Sequence, residues 1–248
     1  RLFPVGLEHA EKFASFAAAV DEYNDVGDPN VTLVVSTRMN VSANLIVTGN
    51  IVVMPVGNGS LDIDSGVTVT FARGSSIIAA PTRQIFYGTG VVSFADGTID
   101  KIYTEWCGAV GDDSTDNFPA IDRCKKFVGV LHVQFLKGTY RIANSSLCPA
   151  FAQTWNGMGK EGNTTIKQVT TNKDIIECRD ANRVVIENMS LSGTGSGTGS
   201  GLYVTSDTDT PADNRFEHLH ISNNGQDCVR MEGTYRLVLN DIHCSTPA

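Results

Sequence analysis

His218, His220, Asp241 and His243 are spaced so that they can share one surface. If Leu219 and Ile221 point into a core, the period of two along a strand sends His218 and His220 outward. A following repeat would set Asp241 beside His218 and His243 beside His220, about 4.8 Å away. Such a group could bind sugar, move protons or, least readily, hold a metal. A solvated polar ladder would need the same residues and no ligand. Asp207, Asp209 and Asp213 crowd the stretch Ser206–Asp213, and Asp227 follows. Two carboxyls about 6.5–9.5 Å apart on adjacent coils would suit inverting glycoside hydrolysis. A lyase would instead need a base and a cation, for which Arg215, Arg230 and Arg236 are candidates. Aspartates that merely end strands in turns account for the same carboxylates. Trp155 or Tyr203, if exposed, could stack on a sugar ring, although burial is the commoner use of such residues.

A second acidic group, Asp112, Asp113, Asp116 and Asp122, lies in the run from Trp106 to Cys124. Helix-start chemistry explains it. Ser114 or Thr115 can serve as N-cap, Asp116 suits the positive end of the helix dipole, and Pro119 is tolerated in a first turn. Gly157, Gly159 and Gly162 match G-x-G-x-x-G, but a nucleotide site requires a helix next. The residues that follow, NTTIKQV, read as a strand.

The elements that must position these side chains are short. Leu7–Tyr23 has a helical pattern, with Phe13, Phe16, Ala17 and Val20 on one face. From Val31 to Tyr103, β-branched runs alternate with Gly, Asn, Ser or Pro every eight to ten residues. Further on, ENMSLSG (from Glu187), EHLHISN (from Glu217) and NDIHCST (from Asn240) align. Met189, Leu219 and Ile242 coincide, as do Leu191, Ile221 and Cys244, at offsets of 30 and 23 residues. The glycine-rich stretch Gly193–Gly201 accounts for the longer interval. A second series sets Ile176, Tyr203 and Val229 in register. Two β segments per repeat of about 22–23 residues describe coils of a parallel solenoid, each burying its apolar row against the next.

The run CGAVGDDSTDNFPAID (Cys107–Asp122), followed by FLKGTYRI (Phe135–Ile142), resembles the opening of pectate-lyase superfamily right-handed β-helices, a group that includes phage tailspikes and capsule depolymerases. Gln84–Phe94 and Ile102–Trp106 resemble a leader often found before that motif. The resemblance implies an all-β right-handed parallel β-helix in which a helix at Phe118, with Ile121 and Phe127, caps the first coil. It also implies a trimer of solenoids that recognises a bacterial surface glycan at a virion tail or outside the cell, with depolymerase activity open; a secreted bacterial polysaccharide hydrolase or lyase and a non-catalytic structural or adhesion solenoid are the alternatives. GQDCVRM (Gly225–Met231) is similar to a strand of polygalacturonase-type enzymes that carries paired carboxylates. Asp227 and Cys228 match that strand, but Gln226 replaces its first aspartate.

The expected organisation is a helical segment over 1–28, a short-strand β segment over 29–103 that leads into the solenoid, and a capped β-helix over 104–248. The candidate catalytic residues are Asp207, Asp209 and Asp227. The candidate substrate-binding residues are His218, His220, Asp241, His243 and Arg230. No cofactor or metal is expected. A net charge of −8 and a pI near 5.0 argue against nucleic acid or anionic membrane as partner, and no apolar run reaches the roughly 18–20 residues of a membrane span. Six cysteines, none in a C-x-x-C pair, permit three disulfides or a set of free thiols.

Overall fold

A computed structural model describes residues 6–24, 30–205, 212–233 and 235–245. The fold is an all-β, right-handed parallel β-helix with about nine turns among the described residues. It divides into two compact units. One holds Arg1–Ile102, Trp106–Gly108 and Lys126–Val130; the other holds Tyr103–Glu105, Ala109–Lys125 and Leu131–Ala248.

The strands of the first unit form three parallel sheets. Strands Gly6–His9, Val31–Val35, Ile51–Pro55 and Ser76–Ile77 form one parallel sheet. Arg38–Val41, Ser60–Ile63 and Phe86–Gly88 form a second, and Leu45–Val47, Thr68–Phe71 and Val91–Phe94 a third. Alternate residues enter the core in register. Leu33 lies beside Val53, Leu61 beside Phe86, and Val47 beside Phe71. Phe71 in turn stacks on Phe94 with ring centroids 5.1 Å apart. Each fully buried side chain of this size contributes roughly 1.5–3 kcal/mol. Turns can be close-packed: a Cβ on Gly59 would stand 1.6 Å from the Val35 carbonyl oxygen, so only glycine fits there.

The helix expected over Leu7–Tyr23 is shorter. Gly6–His9 pairs with Val31–Val34 as an edge strand, Ala10–Lys12 forms a 3-10 turn, and the α-helix runs Phe16–Glu22. Ser15 caps it by accepting the Ala18 N–H at 3.1 Å. Pairing with an open strand outweighed the helical propensity of the first residues. Phe16, Ala19 and Val20 are buried, and the helix lies against the first-coil strands Arg38–Val41 and Leu45–Val47.

In the second unit, strand Val185–Ser192 pairs with Thr154–Asn156 through its first half and with Thr164–Gln168 through its second. Ala212–Ser222 and Tyr235–Ser245 continue this sheet. Ile176–Arg179, Leu202–Thr205 and Val229–Glu232 make the opposing one. The columns Met189–Leu219–Ile242 and Leu191–Ile221–Cys244 form as the repeat predicts. The second series is displaced by one residue. Ile176 pairs with Leu202 and Leu202 with Val229, so Leu202 is buried and Tyr203 faces outward. In a strand a slip of one residue reverses every side chain.

The acidic run is architecture. Asp112 accepts hydrogen bonds from the Ser114 and Thr115 N–H groups at 2.9 and 2.8 Å and from the Thr115 hydroxyl, which hold its carboxyl well below the usual range. Asp113 pairs with Lys167 and Asp122 with Lys125. The helix Phe118–Lys125 starts at Asn117, whose carbonyl accepts the Ile121 N–H, rather than at Ser114 or Thr115. Asp116 accepts the Phe118 N–H, as its place before the helix suggested. Ile121 and Cys124 are the helix's buried residues, while Phe127 packs edge-on against Phe86 in the first unit. Gly157–Gly162 precedes strand Thr164–Gln168, not the helix that a nucleotide site requires.

Candidate functional site

Asn188, His218 and Asp241 occupy one column in three successive coils, and all three are left-handed, with φ of 59°, 52° and 51°. Each bends its long strand within a single residue. Asn and Asp tolerate this conformation through local polar contacts, and Asn188 donates its amide to Asn156 Oδ1 at 2.9 Å. His218 is thus exposed because it is a bend residue, not because it is an outward member of a flat strand.

Beyond the bend, alternation resumes. Ser190, His220 and His243 share one column, in which Ser190 is buried and accepts the Glu161 N–H at 3.0 Å while the two imidazoles are open to solvent; Ser192, Ser222 and Ser245 form the next column. The imidazoles of His220 and His243 lie 5.0 Å apart, inclined by 36°. His220 Nε2 is 3.0 Å from Ser245 Oγ. Lys160, in the glycine-rich turn, reaches Asp241 Oδ2 at 2.6 Å. That contact, with lesser help from His218 and His243, holds the Asp241 carboxyl below its ordinary range.

The expected binding residues divide between two sheets. His218, His220, Asp241 and His243 come together as the spacing predicts. Arg230 lies on the opposing sheet, with its guanidinium 5.0 Å from the Tyr203 ring centroid and its Nε 2.9 Å from Glu232 Oε1. The Tyr203 hydroxyl donates to Glu232 Oε2 at 2.6 Å. These contacts from Tyr203 and Arg230 lower the Glu232 carboxyl, and the bond to Glu232 raises the phenol. Asp227 is exposed in the turn before Val229, where its backbone carbonyl accepts the Gly201 N–H at 2.9 Å. Asp207 and Asp209 lie outside the described residues. Trp155 is fully buried and offers no sugar platform.

One grouping went unnoticed in the sequence. Before the bend, Asn156, Glu187, Glu217 and Asn240 form a column across four strands. Glu187 and Glu217 are direct neighbours, an arrangement that like charges disfavour. Arg215 offsets it, meeting Glu217 Oε2 at 2.6 Å and lowering that carboxyl, and Glu187 acts on the same guanidinium. Arg215 also lines an open depression of about 510 Å3 with Asp213, Asn214, Arg236, Leu237 and Val238. The signal was present, because Glu187, Glu217 and Asn240 head the three aligned repeats.

No family model, curated protein or solved structure matches this chain. What the structure supports is the β-helix fold itself, a parallel β-solenoid. Among the described residues no group of three or more His, Cys, Asp or Glu side chains is placed to hold a metal ion. Cys148, Cys178, Cys228 and Cys244 are free thiols.

Proposed function

We propose that the protein recognises a bacterial surface polysaccharide through the outward face of the sheet Val185–Ser192, Ala212–Ser222 and Tyr235–Ser245, in the manner of a phage tailspike. The observation that carries this reading is the solvent-accessible pair His220–His243 beside the in-register column Ser192–Ser222–Ser245. They repeat hydroxyl and imidazole hydrogen-bonding groups at the strand spacing of about 4.8 Å, and a chain of sugar hydroxyls needs such a regular array of donors and acceptors. A parallel β-solenoid is compatible with polysaccharide-binding spikes. A homotrimer at a virion tail or outside the cell completes the proposal, since side-by-side packing covers long flat sheets that would otherwise invite aggregation.

The test is binding of the complete protein to a panel of purified bacterial polysaccharides. At least one should bind, and His220→Ala with His243→Ala should weaken it about tenfold or more, roughly one lost hydrogen bond to a charged partner. Binding to none, or binding indifferent to the double substitution, would overturn the reading. Light scattering showing a monomer would remove the trimer.

A second reading rests on Glu187 and Glu217. Carboxyls on adjacent strands approach the roughly 5–5.5 Å separation of retaining glycosidases. Glu217, whose carboxyl Arg215 holds below its usual range, suits the nucleophile, with Glu187 as the second carboxyl. Release of reducing ends, abolished in Glu217→Gln with folding intact, would support hydrolysis. Binding without cleavage would leave recognition alone.

A further inference from the structure

We propose that Cys228 and Cys244 form a disulfide by exchange with a small disulfide such as glutathione disulfide. The bond fastens strand Tyr235–Ser245 to the turn before Val229–Glu232, whether or not a polysaccharide binds.

The fold brings the two residues to one place from different sheets. Cys244 stands in the column Leu191–Ile221–Cys244, with Ile221 as its direct partner on the adjacent strand. Cys228 reaches Ile221 from the turn, and its Sγ lies 3.9 Å from the Ile221 carbonyl oxygen. Gly201 of the preceding coil leaves this corner no slack. A Cβ there would stand 2.2 Å from Ile221 Cγ2 and 2.8 Å from the Cys228 carbonyl oxygen. The two thiols meet, and burial together with the hydrogen bond to Cys228 pushes the Cys244 thiol up. Sulfurs already in contact need only small side-chain movements to reach the S–S bond length of about 2.0 Å.

The other free thiols are placed differently. Leu147 bridges Ile176, which sets Cys148 and Cys178 on neighbouring coils, but Cys178 is fully buried and Cys148 Sγ turns to the Pro149 carbonyl at 3.7 Å. Cys244 is exposed and Cys228 partly so, which leaves that pair open to a reagent.

The exchange balances. One cysteine, as thiolate, attacks a sulfur of glutathione disulfide, forming a mixed disulfide and expelling one glutathione thiolate. The second cysteine gives its proton to solvent and attacks the protein sulfur of the mixed disulfide, expelling the second glutathione. The protein loses two electrons and two protons, and glutathione disulfide becomes two glutathiones.

The complete protein would be treated with glutathione disulfide, digested without reduction and mapped by mass spectrometry. A peptide linking Cys228 to Cys244 should appear, and excess reduced glutathione should remove it. Hydrogen exchange of the amides in Tyr235–Ser245 should slow by about tenfold when the bond is present. In Cys228→Ser the same treatment should leave that exchange unchanged. No linked peptide, glutathione adducts that persist on either cysteine, or a link to Cys148 or Cys178 instead would overturn the pair. Exchange that is indifferent to the bond, or that slows equally in Cys228→Ser, would overturn the fastening.

Discussion

The Tyr140 hydroxyl lies between the Glu105 carboxyl, with which it is hydrogen-bonded, and the Leu136 carbonyl oxygen at 3.2 Å. The hydroxyl has one proton and two acceptors within reach. If Glu105 is neutral, it donates to Tyr140, Tyr140 donates to Leu136, and every group is satisfied. If Glu105 is ionised, one acceptor goes without. Burial pushes the Glu105 carboxyl up and the Tyr140 phenol up, in agreement with that arrangement.

Stability should therefore depend on Glu105 with a definite sign. Its raised folded-state pKa favours the fold fully below the unfolded carboxyl value of about 4.3, and this contribution is lost as pH rises through the folded value. Urea denaturation across that range should show the decline, and Glu105→Gln should flatten it. Tyr140→Phe leaves the buried carboxyl without its partner and should cost about 1–3 kcal/mol.

Asn117 should be equally hard to replace. It is fully buried; its side chain accepts the Val110 N–H at 2.6 Å and donates to the carbonyls of Val110, Thr115 and Arg141. Asn117→Ala should cost about 1–3 kcal/mol through unsatisfied buried groups. Asn117→Asp places a negative charge among three carbonyl oxygens. That variant should be weakest at neutral pH and recover as acid neutralises the carboxyl, measured by thermal melting at a series of pH values.

The bend at His218 separates backbone from side-chain roles. His218→Gly should preserve stability because glycine enters the left-handed region freely. His218→Val should cost roughly 1–2 kcal/mol, since a β-branched residue fits that region poorly. Equal denaturation midpoints for the two variants would show that the bend is not the constraint.

In the first unit, Phe71 and Phe94 test whether the segment between Val31 and Phe94 is a true packed solenoid. Phe71→Ala should cost about 3–5 kcal/mol, the range for a large aromatic lost from a core, and the denaturant midpoint should fall accordingly. A negligible change would contradict the stacked core.

Residues with strong periodicity were legible in advance. The columns through Met189 and Leu191 followed from alignment alone, and they brought His218, His220, Asp241 and His243 together. The first unit was harder to read as coils, because its turns differ in length and its strands carry only two to five residues. Tyr203 aligns with Ile176 and Val229 in the sequence because a single aromatic in a short alternating run fits either register, and only the pairing of Leu202 with Ile176 and Val229 decides it. Leu7–His9 read as helix because local propensity cannot register an open strand supplied by Val31–Val34.

The sequence by itself determined that the second half of the chain is a stack of β coils, because two alternating segments recurring at a fixed interval bury their apolar row by stacking each repeat on the next. Tertiary structure alone decided which polar side chains meet. The bends at Asn188, His218 and Asp241, the reach of Lys160 to Asp241 and the pairing of Glu187 with Glu217 depend on register and backbone angle. These pairings bring together residues from different coils, and a periodic pattern marks which face a residue takes without setting the contacts made across it.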